Sequence, residues 1–193
     1  LVPLAELIHG MDARSAIPQI EVACGDESAA LVFRHLEPLS DDDIGLLRQF
    51  EADSGLAVLL QPGGPATIHA LTPPLPELRF GFPDLCLELA FGPSDFIQVN
   101  AEMNRRMVAR ALELLDPQPG ERVLDLFCGL GNFTLPLATR GGDVVGVEGD
   151  AELVRKGTEN ARRNGLENVR FHAADLAVDP GAAPWLRGGY AKV

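Results

Sequence analysis

The sequence predicts an α/β protein in which a doubly wound parallel sheet follows a smaller α+β module. Three observations lead there. Strand-like and helix-like segments alternate from residue 122 to residue 173, the pattern of a parallel sheet with helical crossovers. Within that stretch Val123-Leu-Asp-Leu-Phe-Cys-Gly-Leu-Gly-Asn-Phe-Thr134 is an apolar run ended by an acid, Asp125, and followed at once by Gly129 and Gly131. Such a run is a strand, a tight turn and the start of a helix, the layout that holds a nucleotide-like ligand at the carboxyl end of a strand. Charge also changes along the chain: residues 1–93 hold 4 Lys+Arg against 14 Asp+Glu, whereas residues 94–193 hold 12 against 14. The expected division is therefore an α+β module over 1–92 and a sheet domain over 93–193.

The elements follow from local signals. Residues 1–17 read as a short helix or irregular lead-in. Ile17 to Cys24 and Ala29 to Leu36, separated by Gly25-Asp26-Glu27-Ser28, read as a β-hairpin. Ser40 is placed to cap a helix begun by Asp41, Asp42 and Asp43 and running to about Ser54. Three acids there complement the helix dipole, which explains them better than a metal does. A strand over 56–60, a turn over Gln61-Pro-Gly-Gly-Pro65, a Pro73-Pro74 connecting loop and strands near 77–81 and 85–91 complete the module. A helix over Ala101–Leu115 has apolar residues at helical spacing, and a second over 150–164 has Asp150 as cap and Asn164-Gly165 as stop. Residues 134–139, 143–148 and 169–173 supply a helix and two strands.

The chemistry of the turn decides its ligand. Gly129-x-Gly131-x-x-Thr134 half matches the dinucleotide fingerprint, but Thr134 stands where Gly or Ala would pack and Asp125 lies beside the turn. A pyrophosphate would be repelled by that carboxylate, whereas the sulfonium and ammonium of S-adenosylmethionine suit it. Glu148 ends the second strand about twenty residues on, where an acid accepts ribose hydroxyls. Asp175 follows the third strand at the rim where adenine would lie. Each has a plainer alternative: a ligand-free glycine turn, or a solvated acid at a strand end.

At 193 residues with 46% hydrophobic and 23% charged residues, the chain has the composition of an ordinary globular protein. No apolar run approaches the roughly 18 residues a membrane helix needs, and the first residues lack a signal-peptide layout. Cys24, Cys86 and Cys128 are odd in number and form no Cys-x-x-Cys, so neither a disulfide nor a metal site is expected, and a cytoplasmic location is. Cys24 and Cys86 read as buried thiols in strands, and Cys128 as a small packing residue. The acidic first half argues against nucleic-acid binding through that half.

Asp95-Phe-Ile-Gln-Val-Asn100, Asp125-Leu-Phe-Cys-Gly-Leu-Gly-Asn-Phe133 with Thr134-Leu-Pro-Leu-Ala138, Val144-Val-Gly-Val-Glu-Gly149 and Asn160-Ala-Arg-Arg-Asn-Gly165 together resemble the RNA uracil-5 methyltransferases, most closely the branch acting on 23S ribosomal RNA. The likeness is strong over 95–175 and diffuse over 1–94. It implies a Rossmann-like class I methyltransferase domain, truncated at its C-terminal end, with S-adenosylmethionine as cofactor and contacts at Gln98, Phe127, Asn132, Glu148 and Asp175, beside Asp125, Gly129 and Gly131. It also implies a cysteine thiolate that adds to uracil C6, so that C5 attacks the methyl sulfonium before a base removes the C5 proton. The family's Ser-Cys-Asn-Pro nucleophile segment is missing here, so the nucleophile and base are expected beyond Val193 and none of the present residues is assigned to catalysis. An iron–sulfur cluster belongs, on the same resemblance, to the full-length protein and not to this chain. The expected partner is ribosomal RNA, with self-association through an unpaired strand edge left by the missing half of the sheet and no membrane partner. Methylation of transfer RNA or another RNA position, and a non-catalytic cofactor-binding module, stand as alternatives.

Overall fold

The structure, a computed structural model, describes residues 2–193 and divides into two compact units. One extends through Leu78 and includes Gly92–Ser94; the other comprises Arg79–Phe91 and Asp95–Val193.

In the first unit, helix α1 (Val2–Gly10) precedes strands β1 (Gln19–Cys24) and β2 (Ala29–Arg34), helix α2 (Asp41–Ser54), and strands β3 (Ala57–Gln61) and β4 (His69–Ala70). The sheet order is β1-β2-β3-β4. The β1–β2 hairpin is antiparallel in register from Gln19↔Arg34 to Cys24↔Ala29, as its turn residues suggest. β2 and β3 instead run parallel, with α2 as the crossover between them. The Ser40 hydroxyl accepts the Asp43 N–H at 3.1 Å while the Asp43 carboxylate accepts the Ser40 N–H at 3.3 Å, a reciprocal cap. Asp43, only 1% exposed, also accepts the backbone N–H groups of Asp12 (2.8 Å) and Ala13 (3.2 Å). One of the three acids therefore ties the lead-in segment to α2. Alternate residues Leu31 and Phe33 of β2 and Val58 and Leu60 of β3 meet Leu7, Met11 and Leu47 in the core of this unit.

The second unit begins with strands β5 (Leu78–Phe82, counted from Arg79) and β6 (Leu87–Phe91), which form a two-stranded sheet. Helix α3 (Ala101–Leu115), strand β7 (Arg122–Leu126), helix α4 (Thr134–Ala138), strand β8 (Asp143–Glu148), helix α5 (Ala151–Arg163) and strand β9 (Val169–Ala173) follow. β7, β8 and β9 are parallel neighbours in that order. On the far side of β7 the chain returns: Val123 bridges Lys192 in parallel, the Leu124 N–H donates to the Lys192 carbonyl at 3.0 Å, and the Ala191 N–H donates to the Arg122 carbonyl at 2.8 Å. Residues 191–192 thus lie along the edge of β7 away from β8. The sheet grows one way from β7 to β9 and then the other way to Lys192, which makes β7 the switch point where α/β sheets open a crevice at their carboxyl ends.

The sequence-based boundary assigned β5 and β6 to the first module; they cluster with the second unit instead. Two side chains one helical turn apart on α5 account for this. Asn160, 1% exposed, accepts the Ala90 N–H (2.9 Å) and donates to the Ala90 carbonyl (3.0 Å). Asn164 does the same to Glu88, at 3.0 Å and 2.8 Å. The two amides supply the hydrogen bonds a neighbouring strand would make along β6. One turn earlier Lys156 grips both carboxylate oxygens of Asp95 at 2.7 Å.

One ring sets the spacing of the sheet and helix layers. Phe171 of β9 lies against Gly146 of β8 and Gly157 of α5, where an added Cβ would come within 3.0 Å and 2.7 Å of it. A Cβ on Gly131 would approach the same ring to 3.1 Å. The opposite sheet face is covered by Trp185, packed with Leu124, Val145 and Val147. Gly157→Ala should therefore lower the thermal midpoint even though alanine favours a helix by about 1 kcal/mol. The half-buried ring already lies against the other two glycines, and overpacking of this kind costs about 1–3 kcal/mol. Thermal unfolding checks the sign, since an exposed helical site would give the opposite one.

Candidate cofactor site

The β7–β8 ladder continues one step past β7, the Cys128 N–H donating to the Val147 carbonyl at 3.1 Å. Between these points the backbone turns sharply: Phe127 has φ +59°, Gly129 +54° and Gly131 +103°. The two glycines serve different ends. A Cβ at Gly129 would meet nothing within 4 Å, so that position faces open space, whereas Gly131 is packed against Leu135 and Phe171. Phe127 is 73% exposed, which rules out a core role and leaves its ring standing at the mouth of the turn in a conformation non-glycine residues rarely adopt.

Glu148, at the end of β8, reaches this turn. Its Oε2 accepts the Gly129 N–H at 3.1 Å, and its Oε1 accepts those of Gly149 (2.7 Å) and Asp150 (3.1 Å). Asp150 in turn caps α5 through the N–H groups of Glu152 and Leu153. Asp175 lies two residues past β9, exposed, with its Oδ1 accepting the Ala177 N–H at 2.8 Å. Because the Ala174 N–H donates to the Glu148 carbonyl, the ends of β8 and β9 adjoin, as the sequence pattern requires.

Asp125 is half-buried, and its Oδ2 accepts the Thr134 hydroxyl at 2.6 Å. Burial holds its carboxyl above the ordinary aspartate range, with hydrogen bonds from Thr134 opposing the shift. Thr134, fully buried, is the residue whose mismatch to the dinucleotide fingerprint was visible in sequence but whose role was not. The Cys128 thiol is buried too, and burial with the charges of Asp125 and Glu148 pushes its pKa far up. Its surroundings are those of a packing group and disfavour the thiolate. Cys24 and Cys86, expected to be buried, are exposed instead: Cys24 ends the edge strand β1, and Cys86 sits at φ +52° in the turn between β5 and β6. Among the described residues no cluster of His, Cys, Asp and Glu could hold a metal.

Asn132 and Gln98 arrive by a different route. Asn132 forms a reciprocal amide pair with Asn104 of α3, its Oδ1 accepting at 2.8 Å and its Nδ2 donating at 2.9 Å. Asn100 caps α3 by accepting the Met103 N–H. Gln98 is exposed in the loop between Asp95, held by Lys156, and Asn100. The loop is thus fixed at one end to α5 and at the other to the helix that pairs with the glycine turn. Asn104 was not singled out by sequence, and Asn160 and Asn164 stood out only as part of a helix-ending segment and not as partners of β6, since an asparagine on a helix carries no periodic signal for what its amide meets.

A family model described as a methyltransferase domain matches residues 117–178. The chain is 54% identical over 193 residues to the 23S rRNA (uracil(1939)-C(5))-methyltransferase RlmD of Xanthomonas euvesicatoria pv. vesicatoria (strain 85-10), covering all of this chain and 44% of that protein. The protein of the same name from Alkalilimnicola ehrlichii gives 54% identity over 194 residues, with the same coverage. Over its full length the chain is similar to proteins named as 23S rRNA uracil-C5 methyltransferases. It spans less than half the length of these relatives. Among solved structures, the Pyrococcus abyssi tRNA (uracil-54, C5)-methyltransferase in complex with S-adenosyl-L-homocysteine superposes with a TM-score of 0.60 over 80% of this chain and 38% of that one, at 20% identity, a likeness of fold.

The raised Asp125 pKa has a signed consequence. The folded chain binds that proton more tightly than the unfolded chain, so this group's contribution is complete below the ordinary aspartate range. It is lost as pH rises through the elevated folded-state value. Asp125→Asn should raise the thermal midpoint at neutral pH and flatten its dependence across that window. Thr134→Val, which leaves the buried carboxylate without its donor, should lower stability by about 1–3 kcal/mol. Thermal melts of both variants across pH check the opposed signs.

Proposed function

We propose that this chain is the cofactor-holding part of an enzyme that methylates uracil C5 in 23S ribosomal RNA, with S-adenosylmethionine bound over the glycine turn. The observation that carries the reading is the Glu148 carboxylate at the turn, 3.1 Å from the Gly129 N–H and beside open space, with Asp125 and Asp175 at the two adjacent strand ends. Three carboxylates and no cation among the rim residues fit a cationic, phosphate-free nucleoside and disfavour a dinucleotide. Glu148 is placed to exchange its backbone hydrogen bonds for ribose hydroxyls, and Asp175 to meet the adenine edge. Phe127 offers an apolar wall, and Gln98 and Asn132 polar contacts to the amino-acid tail. When bound, the cofactor supplies an electrophilic methyl group; the residues here orient it and carry none of the proton transfers. The 54% identity to enzymes named for 23S rRNA supports ribosomal RNA over transfer RNA as substrate, and with it a cytoplasmic site of action.

Calorimetric titration with S-adenosylhomocysteine tests the cofactor reading. Binding is expected, and Glu148→Ala should weaken it roughly ten- to a hundredfold, the range for charge-assisted hydrogen bonds. Preference for NADH would overturn the reading. For the substrate, the full-length protein should form 5-methyluridine in 23S RNA lacking the modification, and activity on transfer RNA alone would transfer the assignment to that alternative.

A further inference from the structure

We propose that Asn104 is a positioning residue for the cofactor site, setting the amide of Asn132 from the buried side of α3. This rests on the cofactor reading above. Asn104 is 2% exposed, and its amide both donates to Asn132 Oδ1 at 2.8 Å and accepts from Asn132 Nδ2 at 2.9 Å. A reciprocal pair fixes which end of an amide carries the donor, because turning either one by half a rotation sets N–H against N–H and O against O. Asn132 uses one N–H and one lone pair in this way, and keeps one of each for a ligand. It immediately follows Gly131, at the foot of the turn whose Gly129 face is open. The Asn104 N–H donates to the Asn100 carbonyl, while the Asn100 side chain accepts the Met103 N–H, so the helix turn bearing Asn104 is itself secured. The pair therefore links two separate stretches of chain: the start of α3, which follows the Gln98 loop, and the glycine turn.

The test is a double-mutant cycle on S-adenosylhomocysteine affinity, with the ligand-free thermal midpoint measured for every variant. Asn104→Ala should weaken binding roughly three- to tenfold, about the worth of one lost hydrogen bond. In an Asn132→Ala background the same change should have no further effect on affinity, because Asn104 acts only through that amide. Asn104→Asp, nearly isosteric, keeps the acceptor and loses the donor; it should also weaken binding, and serves if the alanine variant fails to fold. Additive losses in the cycle, or wild-type affinity in a folded Asn104 variant, would overturn the proposal while leaving the cofactor reading intact. Failure of the unsubstituted chain to bind the ligand would overturn the cofactor reading, and this proposal with it.

Discussion

The Phe171 ring is the constraint on which the second unit is built. Three glycines from three elements, Gly146 on β8, Gly157 on α5 and Gly131 in the turn, give way to it at once. With the ring in place, α5 lies close over β8 and β9, and the turn after β7 is drawn down so that Gly131 is packed and Gly129 is left open. The crevice at the strand ends is therefore a by-product of interior packing as much as of turn conformation. Interiors are close-packed and transmit strain, so a methyl group added far from any ligand atom would move the turn. From the same helix Asn160 and Asn164 hold the edge of β6, extending the influence of α5 to the hairpin.

Electrostatics at the rim follow from that packing. Enclosing Asp125 beside Thr134 costs the carboxylate its hydration, and the Thr134 hydroxyl offsets part of the cost. Burial, together with the field of Asp125 and Glu148 that suits a cationic ligand, disfavours a thiolate at Cys128. One arrangement thus gives the turn the negative field that suits a cationic ligand and holds the only buried thiol among the described residues in its neutral form. On the function proposed above, a cysteine that adds to uracil C6 would belong outside the turn, because burial and the charges of Asp125 and Glu148 oppose thiolate formation within it.

Much of this was legible in the sequence. The strands ending in Asp125 and Glu148, the helix over 101–115 and the cap at Ser40 have strong local signals, because apolar periodicity and capping chemistry act within a few residues. What escaped depends on contacts between distant residues. The parallel pairing of β2 with β3 has no local mark that separates it from an antiparallel one. The hairpin β5–β6 was assigned to the wrong unit because its bond to α5 is made by side chains some 70 positions on. Cys24 and Cys86 looked buried because they lie in apolar runs. The first ends an edge strand and the second occupies a left-handed turn position.

The placement of Gln98 shows the same distinction at the site. Strand-end logic locates Asp125, Glu148 and Asp175 because each follows a strand of one parallel sheet. Gln98 follows no strand, and its loop is located only by what grips its ends. Asp95, with 8% of its side chain exposed, meets Lys156, 21% exposed, a pair shielded enough to be screened less by solvent than a surface bridge. At the other end Asn100 caps α3, and Asn104 joins that helix to Asn132. The sheet thus places the carboxylates through its backbone ladder, while the Gln98 loop and Asn132 are held by side chains gripping side chains. That second arrangement is the more open to disruption by single substitutions, because each grip rests on one pair of side chains.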